Sequence, residues 1–167
     1  MRIDARTLRV THEYPVADGI RTLVAAPSGI WVVHRHNPAV SRFDLAQQRL
    51  TRRVAVGQAP LGAAAYGAGA VWVTSPEGDT VTRIDDTTGG KVSSRVGRPT
   101  GIAARGREIW VTSFTDHTIT RIEPKTSRPA GRPVDAPLNP YALALTGDAI
   151  WVTAVGNGEV ARARLAN

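Results

Sequence analysis

Ile109-Trp110-Val111-Thr112, followed by Thr118-Ile119-Thr120-Arg121-Ile122-Glu123, is the stretch that decides the fold. Both halves are rich in β-branched residues, and the polar Thr115-Asp116-His117 lies between them, so together they read as a β-hairpin. The hairpin recurs. Trp31, Trp72, Trp110 and Trp151 stand 41, 38 and 41 residues apart, in Ile30-Trp31-Val32-Val33, Val71-Trp72-Val73-Thr74, Ile109-Trp110-Val111-Thr112 and Ile150-Trp151-Val152-Thr153. Eleven residues after each Trp comes an Arg (Arg42, Arg83, Arg121, Arg162), and Asp44, Asp85 and Glu123 follow two later in three of the copies.

Each copy reads as four strands. Strand a is small and apolar (Leu23-Val24-Ala25-Ala26, Gly62-Ala63-Ala64-Ala65, Gly101-Ile102-Ala103-Ala104, Tyr141-Ala142-Leu143-Ala144), and a turn at Gly29, Gly69, Gly106 or Gly147 leads into the Trp strand b. Strand c is the β-branched run before the acid. Strand d lies near Arg53 to Val56, Val92 to Val96 and, interrupted by prolines, Arg128 to Val134. About forty residues holding four antiparallel strands is the mark of a β-propeller blade, and turns every 8 to 12 residues exclude a helical solenoid of similar period. The fold expected is all-β: one β-propeller domain of four four-stranded blades.

The ends suggest how it closes. Arg2-Ile3-Asp4 falls 40 residues before Arg42-Phe43-Asp44, so the chain opens at the end of a strand c and continues through a strand d, whereas its last strand c, Glu159 to Leu165, has no strand d after it. The blades are then 20–57, 61–97, 101–136 and a composite of 141–165 with 7–16, closed by pairing the N-terminal strand with the C-terminal blade. Such pairing would remove two open sheet edges. Three closures fit: a four-bladed monomer, two chains exchanging strands as a homodimer with eight blades, and a piece of a longer propeller.

Composition bounds the chemistry. The 167 residues suffice for one packed domain, and with no cysteine, disulfides, thiolate metal sites and cysteine nucleophiles are excluded. No apolar run approaches the roughly 20 residues needed to span a bilayer, and the N-terminus lacks the apolar stretch of a secretory signal. The expectation is a soluble, unexported chain of undetermined compartment, extracytoplasmic if it belongs to a longer exported protein. A net charge of +7 favours anionic partners, but only Lys91 and Lys125 of the 21 basic residues are Lys. That skew is a mark of GC-rich coding, and the densest cluster, Arg49, Arg52 and Arg53, falls on an outer strand without exposed aromatics. No specific nucleic-acid partner is expected.

The pattern Gly-Ile-Ala-Ala, Ile-Trp-Val-Thr and Thr-Ile-Thr-Arg-Ile-Glu-Pro resembles the NHL and YVTN class of bacterial β-propellers, which includes streptogramin B lyase and sensor domains of some receptor kinases. The resemblance covers essentially the whole chain. It implies the propeller fold and a ligand site on the face where the b–c and d–a loops open around the central channel. Through the lyase it implies a magnesium-assisted elimination by a histidine with glutamates holding the metal, and this sequence departs from that set, offering Glu77 and Glu159 but no repeated Glu after the Trp strand.

On that loop face the b–c loops bring His34, Arg35, His36 and Asn37; Ser75, Glu77 and Asp79; Thr115, Asp116 and His117; Asn157 and Glu159. The d–a loops bring Asp18, Arg21, Gln58, Arg98, Thr100, Asn139 and Tyr141. The candidate ligand-binding residues are His34, His36, Asp79, Arg98, Asp116, His117, Tyr141 and Asn157. His34 and His36 alternate, so if the strand continues both imidazoles leave one face of it; the pair reads first as part of a solvated loop, next as an anion- or ligand-binding pair, and is a weak pattern for a metal. Asp116 and His117 suggest either an acid and base or a loop cap. The repeated Arg is expected to pair opposite Trp in each hairpin, placing a guanidinium over an indole. The tryptophans read as core, not as a sugar platform. No catalytic set, resident metal or cofactor is expected. The leading functional expectation is a non-catalytic binding or sensing module for a protein or small-molecule ligand, and the alternatives are a streptogramin lyase-like enzyme or an assembly unit of a larger propeller.

Overall fold

The alternating apolar stretches pair into sheets in the order the repeat dictates. A computed structural model describes residues 1–16, 19–57 and 59–165, and among them there are strands and no helix. A short hairpin, β1 (Arg2–Ile3) with β2 (Val10–His12), precedes blade 1, which holds β3 (Ile20–Ala26), β4 (Gly29–His34), β5 (Ala39–Asp44) and β6 (Arg49–Ala55). Blade 2 comprises β7 (Ala64–Gly67), β8 (Ala70–Ser75), β9 (Thr80–Asp85) and β10 (Lys91–Arg95). Blade 3 comprises β11 (Pro99–Arg105), β12 (Glu108–Ser113), β13 (Thr118–Ile122) and β14 (Pro129–Asp135). Blade 4 has three strands, β15 (Pro140–Thr146), β16 (Ala149–Ala154) and β17 (Glu159–Arg164). Pro129 and Pro133 do not prevent β14, because it is an outer strand and the lost donor faces no ladder.

The core lies between blades. Trp31, Val33 and Val40 of blade 1 pack on Leu61, Val71, Val73 and Ile84 of blade 2. Trp72, Val81 and Val96 of blade 2 meet Ile102, Ile109, Val111 and Ile122 of blade 3. Trp110 and Ile119 of blade 3 meet Leu143, Ile150 and Val152 of blade 4. In blades 2 and 3 one face of the Trp strand thus packs forward onto the next blade and the other packs backward, which is why the strands read as almost continuously apolar.

The indole N–H groups find different partners, and the difference traces to one position. Asp86, two residues past Ile84, accepts from Trp31 Nε1 of the preceding blade at 2.7 Å and from the Ser28 hydroxyl at 2.5 Å. The equivalent residue is Pro124 in blade 3, so Trp72 Nε1 turns to its own Gly67 carbonyl at 3.0 Å. In blade 4 it is Leu165, and Trp110 Nε1 is buried without a partner.

The c–d turns are built alike. The carboxylate of Asp4 accepts from Arg6 N and Thr7 N, that of Asp44 from Ala46 N and Gln47 N, and that of Asp85 from Thr87 N and Thr88 N. These backbone donors, foremost Thr7, Gln47 and Thr88, hold the three carboxyls below the ordinary value. Leu8, Gln48, Gly89 and Ser127 close the turns with positive φ.

Two expectations need correction. Segment 7–16 does not complete the 141–165 sheet. Asp4 forms the same turn as Asp85, folding β2 back onto β1 with Ile3 opposite Val10, so the spare strand d already has a strand c. Among the described residues, no strand of blade 4 makes a packed junction with blade 1 comparable to the three internal ones. The described chain is therefore an open arc of propeller blades. The Trp–Arg pairing is correct in register, Trp31, Trp72, Trp110 and Trp151 lying opposite Arg42, Arg83, Arg121 and Arg162. Among the described residues, however, only Arg162 lies over its indole, at 5.8 Å. Arg42 Nε instead donates to Thr51 Oγ1 at 3.3 Å and Arg83 pairs with Asp85 at 3.4 Å.

Candidate functional site

Position by position, the inner strands define a shared mouth. Pairing to Trp31, Trp72, Trp110 and Trp151 makes Val24, Ala65, Ala103 and Ala144 equivalent. Three residues earlier along the chain in each blade stand Arg21, Gly62, Thr100 and Tyr141, followed by Thr22, Ala63, Gly101 and Ala142. All eight line one cavity of about 490 Å³, together with Pro76, Arg98, Phe114, Ile102 and Leu143. Each blade thus contributes to the same hollow, through Gly62 and Thr100 in the middle blades and the long side chains of Arg21 and Tyr141 in the outer two.

Threonine hydroxyls stitch the mouth together. Thr74 Oγ1 donates to the Thr100 carbonyl at 3.4 Å, and Thr112 Oγ1 to the Tyr141 carbonyl at 3.3 Å. Thr100 Oγ1 donates to the Pro140 carbonyl at 2.9 Å. The strands approach so closely that a Cβ at Gly101 would overlap the Tyr141 carbonyl oxygen. These bonds occupy polar groups that would otherwise stand unpaired in a narrowing channel.

Arg98 is held by its backbone. Its φ is +35°, its N–H donates to Asp79 Oδ1 at 2.9 Å, and its carbonyl accepts from Phe114 N at 3.1 Å. The guanidinium then lies 5.0 Å from the Phe114 ring centroid. Blade 3 repeats the device with other residues: Asn139 has φ +56° and donates its N–H to His117 Nδ1 at 3.1 Å. Asp79 and His117 are both left-handed turn residues, at φ +49° and +53°, whose side chains clamp the following d–a loop.

Of the candidate residues, Arg98 and Tyr141 come together at the cavity. His34 does not reach it: it is buried in β4 with Nε2 2.8 Å from Ser41 Oγ. His36 is exposed beside Gly19 on the rim, so the two imidazoles do not form a pair. Asp79 and His117 serve as loop clamps, and Asp116 accepts from the Ser113 hydroxyl at 2.7 Å, the cap rather than the acid. Asn157 sits in an exposed turn. Asp18 and Gln58 lie outside the described residues. Among the described residues, no three His, Cys, Asp or Glu are grouped to hold a metal ion.

Phe114 and the equivalence of Arg21 with Tyr141 escaped sequence reading. A signal existed for Phe114, an aromatic in a loop position held by Pro76 in blade 2 and Val155 in blade 4. Arg21 needed the strand register, which the repeat gives only once Trp is aligned across blades.

No family model matches the chain, and no curated protein matches it. Solved structures do. The computationally designed Ika4 protein is 15% identical with a TM-score of 0.76, over 91% of this chain and 94% of its own. Hydrazine synthase from Kuenenia stuttgartiensis is 20% identical with a TM-score of 0.78, over 92% of this chain and 48% of its own. A catalytically inactive virginiamycin B lyase from Staphylococcus aureus with quinupristin is 18% identical with a TM-score of 0.78, over 93% of this chain and 56% of its own. The chain spans about half the length of the two natural proteins. At these identities the likeness establishes the architecture alone: the chain has the fold of β-propellers.

Proposed function

We propose that this chain is a non-catalytic β-propeller binding or sensing module of the bacterial NHL and YVTN class, taking an anionic small ligand with a planar apolar part in the cavity of Arg21, Arg98, Phe114 and Tyr141. The observation that carries this reading is that two arginines and two aromatic rings line one hollow of about 490 Å³, with no carboxylate among the described lining residues. The volume suits a small ligand. An anion there would meet Arg98 through charge-assisted hydrogen bonds, and Tyr141, half exposed, offers a ring and a hydroxyl. Asp79 and His117 bond to the backbone of the next loop and Asp116 accepts from Ser113, and none of the three lines the cavity, which supports binding over elimination.

The test is a titration with 2-naphthoate and with its uncharged amide, followed by amide NMR shifts. Naphthoate should perturb Gly62, Gly101 and Tyr141, bind at least 10-fold more tightly than the amide, and weaken with salt. Arg98→Ala should reduce its affinity by about 10-fold. Equal binding of acid and amide, or shifts confined to the outer strands, would overturn the reading.

A further inference from the structure

Both ends of the arc expose the halves of an interface that the chain makes three times internally. The forward face is covered in blades 1 to 3 and bare in blade 4: Val40, Val81 and Ile119 are buried, whereas their equivalent Val160 is 67% exposed. Trp31 and Trp72 are fully buried, and Trp151 is 39% exposed with only Arg162 laid over it. The backward face is covered in blades 2 to 4 and open in blade 1. There Leu23 is 56% exposed, and its equivalents Ala64, Ile102 and Leu143 face a neighbouring blade.

The N-terminal hairpin covers the backward face only in part. Tyr14 packs on Phe43 at 4.9 Å, and a cavity of about 160 Å³ remains beneath it, lined mainly by Val16, Ile20, Leu23, Ile30 and Phe43. In the repeat the hairpin corresponds to strands c and d of a preceding blade, because Arg2 and Ile3 take the repeat positions of Arg162 and Ala163.

We infer that a second copy of this chain seats its Trp151 face on the Leu23 face of the first, and the first on the second, so that two arcs close head to tail into one ring. Continuity with the internal junctions identifies the occupant: each bare face is one half of a contact whose other half the same chain carries at its opposite end. In the ring, β17 of one copy takes the place of β1 beside β2 of the other, giving blade 4 its fourth strand. Thr153 Oγ1 then faces the Arg21 carbonyl of the second copy, as Thr112 faces Tyr141 within the chain. The contact is independent of the ligand proposed above.

Light scattering and sedimentation of the intact chain test this. The expected mass is twice 17.8 kDa. Val160→Glu and Leu23→Glu, each altering one exposed position, should separately give folded particles of 17.8 kDa, with the strand circular dichroism of the parent. Mixing the two variants should restore the doubled mass, because one of the two junctions then joins unaltered faces. If Leu23→Glu does not fold, Ile20→Glu on the same face replaces it in the mixture. A parent chain of 17.8 kDa at all concentrations, as when other blades of a longer polypeptide cover the faces, overturns the inference. So does a doubled mass that survives Val160→Glu, or a mixture that stays monomeric.

Discussion

Blades 2 and 4 carry nearly the same Trp strand, Val71-Trp72-Val73-Thr74 and Ile150-Trp151-Val152-Thr153, in different surroundings. Trp72 and Trp151 each open the same strand pairing with an Arg, yet the first is sealed between blades and the second lies under a single guanidinium. Strand formation is therefore a property of the repeat, and burial is a property of the neighbour. The lesson sharpens what a Trp in this pattern contributes: the same strand register opposite an Arg everywhere, but very different packing.

Replacing the two residues should split that comparison most widely. Trp72→Ala should destabilise by roughly 3–5 kcal/mol, the range for a fully buried Trp, whereas Trp151→Ala, measured in a dissociated chain by urea unfolding, should cost about 1 kcal/mol. Equal losses would mean that blade 4 is as tightly enclosed as blade 2. The next contrast is between junctions. Asp86→Ala strips the blade 1–2 junction of the acceptor for Trp31 and Ser28 and should cost about 2–3 kcal/mol, while Leu165→Ala at the equivalent place in blade 4 removes no acceptor and should cost less. Glycines give a smaller contrast. Gly101→Ala drives a methyl into the Tyr141 carbonyl and should cost about 1–3 kcal/mol, and Gly147→Ala, with nothing within 4 Å, should be close to neutral by the same unfolding measurement.

The smallest effect concerns the turns, which are alike in the N-terminal hairpin and blades 1 and 2. Because the folded carboxyls of Asp4, Asp44 and Asp85 sit below their unfolded value of 3.8, the stability they add is present above that pH and lost as the pH falls through the folded values. A triple Asn variant keeps the side-chain acceptors without titrating, so its stability should fall less steeply than the parent's below pH 4. Parallel acid profiles would mean that the turn carboxylates carry none of the pH dependence.

The sequence disclosed the blades because Trp spacing and strand alternation are local and periodic. It also placed the Trp–Arg register correctly. It did not disclose that Asp4 is a complete turn rather than a loose end, although Asp4-Ala5-Arg6-Thr7 has the same logic as Asp85-Asp86-Thr87-Thr88, and so the spare strand was assigned to the wrong sheet. Of the residues that loop position singles out, Arg98 and Tyr141 line the cavity, whereas His34 is buried in β4 and Asp79 and His117 accept from the backbone of the next loop. A polar side chain in a tight turn serves the backbone first, and only the backbone angles reveal it.

The self-contained turns have an evolutionary consequence. Since each Asp holds its own hairpin through donors two and three residues away, a module can be copied or deleted without renegotiating long-range bonds. Gene duplication can then lengthen or shorten the circle one whole segment at a time, while Asp86 shows how a later, private bond between two particular segments fixes their order.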